Sequence, residues 1–211
     1  DYLDATKRLS AIRGSEGNKR LFRGDGSRRI IAITFDDGPK KDSGRLLDVL
    51  KAKNVKATFF TVGKQAVTFP EIIKRMAGEG HEIGNHTFNH RDLEYLTERD
   101  ITEEVFKTAS VVRSLTGRQI QFLRPPGGHE GTKLPNVMRR FGLTTVFWTA
   151  DAAKLEGTTK RKIVEYVVST AKPGGIILLH NTELCTLQAL PEIIDALRAK
   201  GYSFVTLSEL E

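Results

Sequence analysis

The chain has 211 residues, with 33 Lys and Arg against 26 Asp and Glu, giving a formal charge of +7. At 39% hydrophobic and 28% charged, with 19 Gly and 7 Pro, it is globular in composition, which excludes collagen-like and Pro-rich disordered classes. Its longest apolar stretch, residues 174–179, is far short of the roughly 20 residues a membrane span needs.

Residues 1–28 are polar, basic and glycine-containing. They read as an N-terminal basic extension, with a short helix expected over about 3–13. The start at Asp1, with no signal-like apolar segment behind it, reads as a trimmed or mature form. From Arg29 onward short β-rich runs alternate with longer helical runs, so residues 29–211 read as one domain. Ile30–Phe35 is an apolar strand, followed by a helix over Arg45–Lys53 carrying Leu46, Leu47, Val49 and Leu50. A strand over 57–62 leads to a helix over 70–80, with Pro70 at its start and Gly80 at its end. A short strand over 81–83 precedes a long helix over 97–116. Thr97 caps it, Glu98 and Asp100 occupy its first turn, and Gly117 follows it. Strands at 121–123, 144–147, 175–179 and 203–206 complete the set, separated by helices at about 135–141, 159–171 and 187–200. About seven apolar strands, each followed by a helix or loop, predict a parallel sheet covered on both faces. An open doubly wound sheet and a barrel both fit this α/β pattern.

In parallel α/β folds functional groups gather at the C-terminal ends of strands. Asp36 and Asp37 follow the first strand, Asn85 and His86 the third, and Arg124 the fourth; Asp151 lies just past the fifth and His180 ends the sixth. Thr34-Phe35-Asp36-Asp37-Gly38-Pro39 sets two carboxylates at the end of an apolar strand, an expensive place unless something uses them. Neighbours in an extended segment point opposite ways, so each acid is expected to take a different task. A strand-ending turn with two solvated acids fits the same residues.

His86-Thr87-Phe88-Asn89-His90 spaces two His four apart, which a helical turn would put on one face to grip one metal ion. With a carboxylate from another strand end they make a two-His, one-carboxylate set that leaves positions open to water. Arg124-Pro125-Pro126-Gly127-Gly128 sets a cation before a stiff, then permissive, loop, where glycine lets backbone N–H groups approach a ligand. Leu178-Leu179-His180 ends a buried strand with His at the rim. His81 and His129 read as surface or structural, His129 being near enough to touch a substrate. Cys185 is the only cysteine and reads as structural. The cationic excess suits a solvated surface, or steering toward an anionic cell-wall polymer. No nucleic-acid motif with interleaved aromatics is present.

These residues, in this order, resemble the polysaccharide deacetylase family, carbohydrate esterase family four. Thr34–Pro39 matches its first motif, His86–His90 its His-Ser/Thr-x-x-His motif, Arg124-Pro125-Pro126 with Gly128 its third, and Leu178–His180 its Leu-x-His motif. The resemblance implies a distorted (β/α)7 barrel that removes N-acetyl groups from a glycan such as peptidoglycan or chitin-like oligosaccharide. It implies one divalent ion, zinc or alternatively cobalt, held by Asp37, His86 and His90. It further implies Asp36 as general base, Arg124 orienting Asp36, His180 as general acid with Asp151 as its partner, the Gly127 N–H for the oxyanion, and Leu178 as a substrate contact. It places the protein at the cell wall or surface of a bacterium.

Two positions depart from the family pattern. Gly127 stands where an aromatic side chain is usual, and Lys154-Leu155 where an Asp-Trp pair is usual. Both alter the groove walls, so two other readings stay open: a glycan-binding member with little turnover, and a metal-dependent ester or amide hydrolase on another substrate.

Overall fold

The computed structural model describes residues 19–155, 157–181 and 184–211. Strands are β1 (Arg20–Leu21), β2 (Ile30–Gly38), β3 (Thr58–Thr61), β4 (Glu82–Asn85), β5 (Phe122–Leu123), β6 (Thr144–Val146), β7 (Ala150–Asp151), β8 (Gly175–His180) and β9 (Ser203–Val205). Helices are α1 (Ser43–Ala52), α2 (Gly63–Thr68), α3 (Pro70–Gly78), α4 (Glu98–Thr116), α5 (Leu134–Phe141), α6 (Lys160–Thr170), α7 (Leu184–Ala199) and α8 (Leu207–Leu210). Short 3-10 turns cover Leu93–Tyr95, Pro126–Gly128 and Ala153–Leu155. The strands form one parallel sheet in the order β1-β6-β5-β4-β3-β2-β8-β7, with β9 also paired to β2. No ladder among the described residues joins β1 to β7, so the curl stops short of a closed barrel. That gap is the distortion of the expected (β/α)7 barrel.

The expected helix over 3–13 lies outside the described residues. Of the segment read as an extension, Arg20 and Leu21 enter the sheet as an edge strand beside Thr145 and Val146, and Leu21 is buried. Two residues between basic neighbours carry too little apolar signal to announce a strand. The long helix begins and ends where its caps predict. Thr97 Oγ1 accepts the Asp100 N–H, Asp100 Oδ2 accepts the Thr97 N–H, and Gly117 closes the helix at φ 71°.

Side chains alternate across each strand and so divide the core in two. Ile31, Ile33 and Phe35 pack outward under the helices. Ile30 and Ala32 face into the curl with Phe60, Phe122, Val146 and Ile176, where Leu207 and Leu210 of α8 join them. Carried up the strands, the same alternation aims Thr34 and Asp36, Arg124, Trp148, Leu178 and His180 into the upper half of the curl. An apolar floor therefore lies beneath a polar mouth.

His81, at the opposite end of β4 from that mouth, is structural. It is 1% exposed, and its Nδ1 accepts the Ala57 N–H at 3.2 Å. Burial, helped by Lys56 and Arg75 and opposed by Glu79, pushes the imidazole down to about 4. The unfolded chain protonates His81 near pH 6.5 and the folded chain only near 4. Its contribution is thus fully present above about pH 6.5 and lost as pH falls toward 4, a swing of about 3 kcal/mol. His81→Asn keeps an acceptor for Ala57 but does not titrate. Denaturant unfolding at pH 7 and pH 4.5 should show wild type losing about 2–3 kcal/mol more than the variant over that interval. Equal losses in both proteins would rule out a buried neutral His81.

Candidate metal and hydrolytic site

Register alone brings the polar strand ends together. Asp36 of β2 lies opposite His180 of β8, Asn85 of β4 opposite Leu123 of β5, and Asp151 of β7 opposite Leu178 of β8. They surround a cleft of about 360 Å³ lined by Asp36, Asp37, His86, His90, Gly127, Trp148, Asp151, Lys154, Leu178 and His180, among others. Each predicted site residue lines the cleft except Arg124, which lies beneath Asp36. Asp151 also caps the turn after it, its Oδ1 accepting the Lys154 N–H at 3.3 Å.

Arg124 is fully buried. Its Nη1 donates to Asp36 Oδ1 and to Thr34 Oγ1, both at 2.8 Å, and its Nη2 to the Phe147 carbonyl at 3.1 Å. The guanidinium sits 4.1 Å from the Phe60 ring centroid, a further favourable contact for a desolvated cation. Asp36 is 3% exposed, so this is a buried ion pair whose charges depend on one another.

Asp37 departs from the expectation that adjacent acids point opposite ways. Between Phe35 and Gly38 the β2–β3 register shifts, a bulge in β2, and Asp37 takes the left-handed φ of 67°. That re-aims its carboxylate into the same cleft as Asp36. Asp37 Oδ1 lies 3.4 Å from His86 Nε2 and 3.0 Å from His90 Nε2. Burial pushes the Asp37 carboxyl up, but the two imidazoles outweigh it and hold the group well below the usual carboxylate range. The Asp37 carboxylate in turn raises His90.

The His86–His90 segment is not a helical turn, contrary to the spacing argument. It is a loop in which Thr87 and His90 have φ of 66° and 57°. Left-handed backbone costs on the order of 1–3 kcal/mol at each such residue, most for a β-branched one like Thr87, and persists only where surroundings impose it. Here they do. Glu104 of α4, 5% exposed, accepts the N–H groups of Phe88 and Asn89 at 2.8 and 2.7 Å and the Asn89 side-chain amide at 2.8 Å. Asn85 Oδ1 accepts the Thr87 N–H, and the first N–H groups of α2 donate to the Thr87 and Phe88 carbonyls. His86 Nδ1 donates to the Arg124 carbonyl at 2.7 Å, which leaves the Nε2 lone pair aimed at the cleft.

The three groups fit a divalent ion. One ligating atom each from Asp37, His86 and His90 lies within 4.8 Å of the others. Asp37 Oδ1 is buried and, despite its short contact to His90, makes no hydrogen bond of good geometry. Two imidazole nitrogens and one carboxylate oxygen suit zinc, and leave positions for water and a substrate oxygen.

Sequence reasoning missed two contributors. Trp148 lines the cleft, and Gly128, at φ 76°, lets it approach; a Cβ at Gly128 would meet the ring at 2.8 Å. Glu104 was not singled out, yet it falls on the buried stripe of Ile101, Val105, Thr108 and Val112. An acid on an apolar stripe was the available signal. One further placement differs from expectation: Leu155 packs on the main core instead of walling the groove. His129 is at the surface, as expected, facing Asp92 at 3.2 Å on the exposed rim.

A curled parallel sheet with this constellation at its mouth defines a class, and the chain belongs to the polysaccharide deacetylase family, whose profile matches residues 23–146. It is 38% identical over 194 residues to a peptidoglycan-N-acetylglucosamine deacetylase of Bacillus cereus, spanning 90% of this chain and 70% of that one. It is 34% identical over 212 residues to the peptidoglycan-N-acetylmuramic acid deacetylase PdaA of Bacillus subtilis, spanning 98% and 80%. A crystal structure of a peptidoglycan N-acetylglucosamine deacetylase superposes with a TM-score of 0.88 at 35% identity, covering 92% of each chain.

If Glu104 holds the His86–His90 loop in its strained form, weakening it should loosen the ligand set. Glu104→Gln turns one acceptor oxygen into a donor that faces backbone N–H groups. Zinc affinity, measured by competition with a chromophoric chelator, should fall about 10–100-fold while far-UV circular dichroism stays unchanged. Unaltered affinity would remove Glu104 from the account.

Proposed function

We propose that the protein removes acetyl groups from the N-acetylated amino sugars of bacterial peptidoglycan, using a divalent ion, zinc by preference, held by Asp37, His86 and His90. The convergence of those three donors beside the buried Asp36–Arg124 pair is the observation that carries this reading. Its relatives' activities and the glycan-sized cleft support the substrate class. Such an ion supplies Lewis acidity toward a carbonyl and makes water more acidic.

The remaining chemistry belongs to the chain's own groups. Asp36 has Oδ1 occupied by Arg124, while Oδ2 lies 3.8 Å from His86 Nε2, on the cleft side, where it can take a proton from water. Arg124 fixes the direction of the Asp36 carboxylate through its hydrogen bond to Oδ1. His180 gives a proton to the departing amine, with Asp151 as its partner on the neighbouring strand. A positioned base or acid typically contributes ~10²–10⁴-fold. The Gly127 N–H is assigned to the developing oxyanion, and Leu178 to the acetyl methyl. The reaction consumes one water and yields acetate and a free amine. The folded unit takes in the edge strand at Arg20, and it acts at the cell wall, toward whose anionic polymers a chain of charge +7 is drawn.

Two variants separate the roles of the adjacent aspartates and the histidines. Asp36→Asn should keep one zinc per chain by elemental analysis and lose at least ~10²-fold in acetate release from peptidoglycan fragments. His86→Ala should lose both the metal and the activity. Loss of zinc from Asp36→Asn would mean that the two aspartates have exchanged roles. A wild-type protein that binds fragments and zinc but releases no acetate would make it a binding protein instead.

A further inference from the structure

Lys154 is the one lysine or arginine lining the cleft among the described residues. Its ammonium lies over the Tyr166 ring of α6, 4.6 Å from the centroid, and no carboxylate among the described residues forms an ion pair with it. The acids of the cleft are otherwise engaged. Asp36 is paired with Arg124, Asp37 faces His86 and His90, and Asp151 accepts the Lys154 backbone N–H. Tyr166 and, more weakly, Asp151 favour the charged form of the lysine. Among the described residues Lys154 thus lines the cleft without a carboxylate in ion-pair contact, Asp151 acting on it only at longer range.

A second feature of the cleft is space. Gly127, at φ 63°, offers no side chain, and a Cβ built there would meet only the His129 ring, at 3.4 Å and beyond. Beside it the loop backbone is covered by Trp148 at Gly128, so the opening is confined to one position. An open position and a lysine without an ion-pair partner among the described residues, both on the lining of one cleft, suit a sugar that is both bulkier and more anionic than a plain N-acetylhexosamine.

We propose that Lys154 is a specificity residue that recognises a carboxylate carried on the amino sugar next to the reacting acetamide, with Gly127 leaving room for that substituent. The chemical group that fits is the lactyl ether by which N-acetylmuramic acid differs from N-acetylglucosamine. A lone ammonium, without a neighbouring guanidinium, suits a monoanionic carboxylate better than a phosphate, which draws several donors. The inference rests on the deacetylase reading and deepens it, since the relatives named above divide between the two sugars.

The test uses three substrates of matched length. One is a glycan fragment with free lactyl carboxylates, one the same fragment with those carboxylates converted to methylamides, and one a chitooligosaccharide. Wild type should favour the carboxylate fragment over its methylamide, and high salt should shrink that preference. Lys154→Gln should lower the ratio of kcat/KM between those two about fivefold, chiefly through KM, and Lys154→Arg should restore most of it. The same ratio in wild type and Lys154→Gln, with acetate released from the fragments, overturns this inference and leaves the deacetylase reading intact. Acetate released from none of the three overturns both.

Discussion

The upper half of the curl is organised around a single buried ion pair. Arg124 has no contact with solvent, so its charge is tolerable only because Asp36, the Thr34 hydroxyl, the Phe147 carbonyl and the Phe60 ring surround it. Those partners come from β2, β3 and the segment after β6. Thr34 extends the network further, donating to the Ile177 carbonyl of β8. The guanidinium therefore ties together, across the curl, strands that are not neighbours in the sheet. Burying an ion pair seldom adds net stability, but losing one partner costs about 3–5 kcal/mol because the other is left uncompensated. The direction of the Asp36 carboxylate is thus fixed by an interaction the protein cannot relax cheaply.

Strain is distributed unevenly in the same region. Of the positive-φ residues other than glycine among the described residues, Asp37, Thr87 and His90 belong to the proposed ligand segments and only Asn54 lies elsewhere. Such conformations survive where surrounding contacts over-determine them. Glu104, Asn85 and the first N–H groups of α2 do so from three directions. A site built this way holds its donors close with poor hydrogen bonds among themselves, as at Asp37 Oδ1. The scaffold thus keeps the donors converged, and a cation bound between them need not supply the ordering of the loop.

Much of this was legible in the sequence because strand ends in parallel sheets converge by topology. Asp36, Asp37, His86, Arg124, Asp151 and His180 were findable once the strands were placed, since an apolar run ending in a charged residue is a strong local signal. What stayed hidden has physical reasons. Two-residue strands such as β1 and β7 have no periodicity to read, and their existence depends on an edge offered by other strands. α2 has six residues with no side-chain cap, and its N–H groups are satisfied by a loop distant in sequence. Glu104 was overlooked because acids on helices are usually solvated. Only its place on the buried stripe of α4 marks it as an internal acceptor.

The spacing arguments failed in an instructive way. Alternation would send two adjacent aspartates to opposite faces, and a His-x3-His pair reaches one ion most simply on a helix. Neither geometry is present. A bulge in β2 and a left-handed residue turn Asp37 back toward Asp36, and a strained loop brings His86 and His90 together without a helix. Without the bulge Asp37 would follow Phe35 outward by alternation, toward the core beneath the helices, where an unpaired carboxylate is expensive. The extra residue therefore resolves a conflict that the sequence alone sets up. It lets one strand end present two acids to one cleft, one held by a buried cation and one facing two imidazoles. Their chemical difference comes from those neighbours, because the residue type is the same.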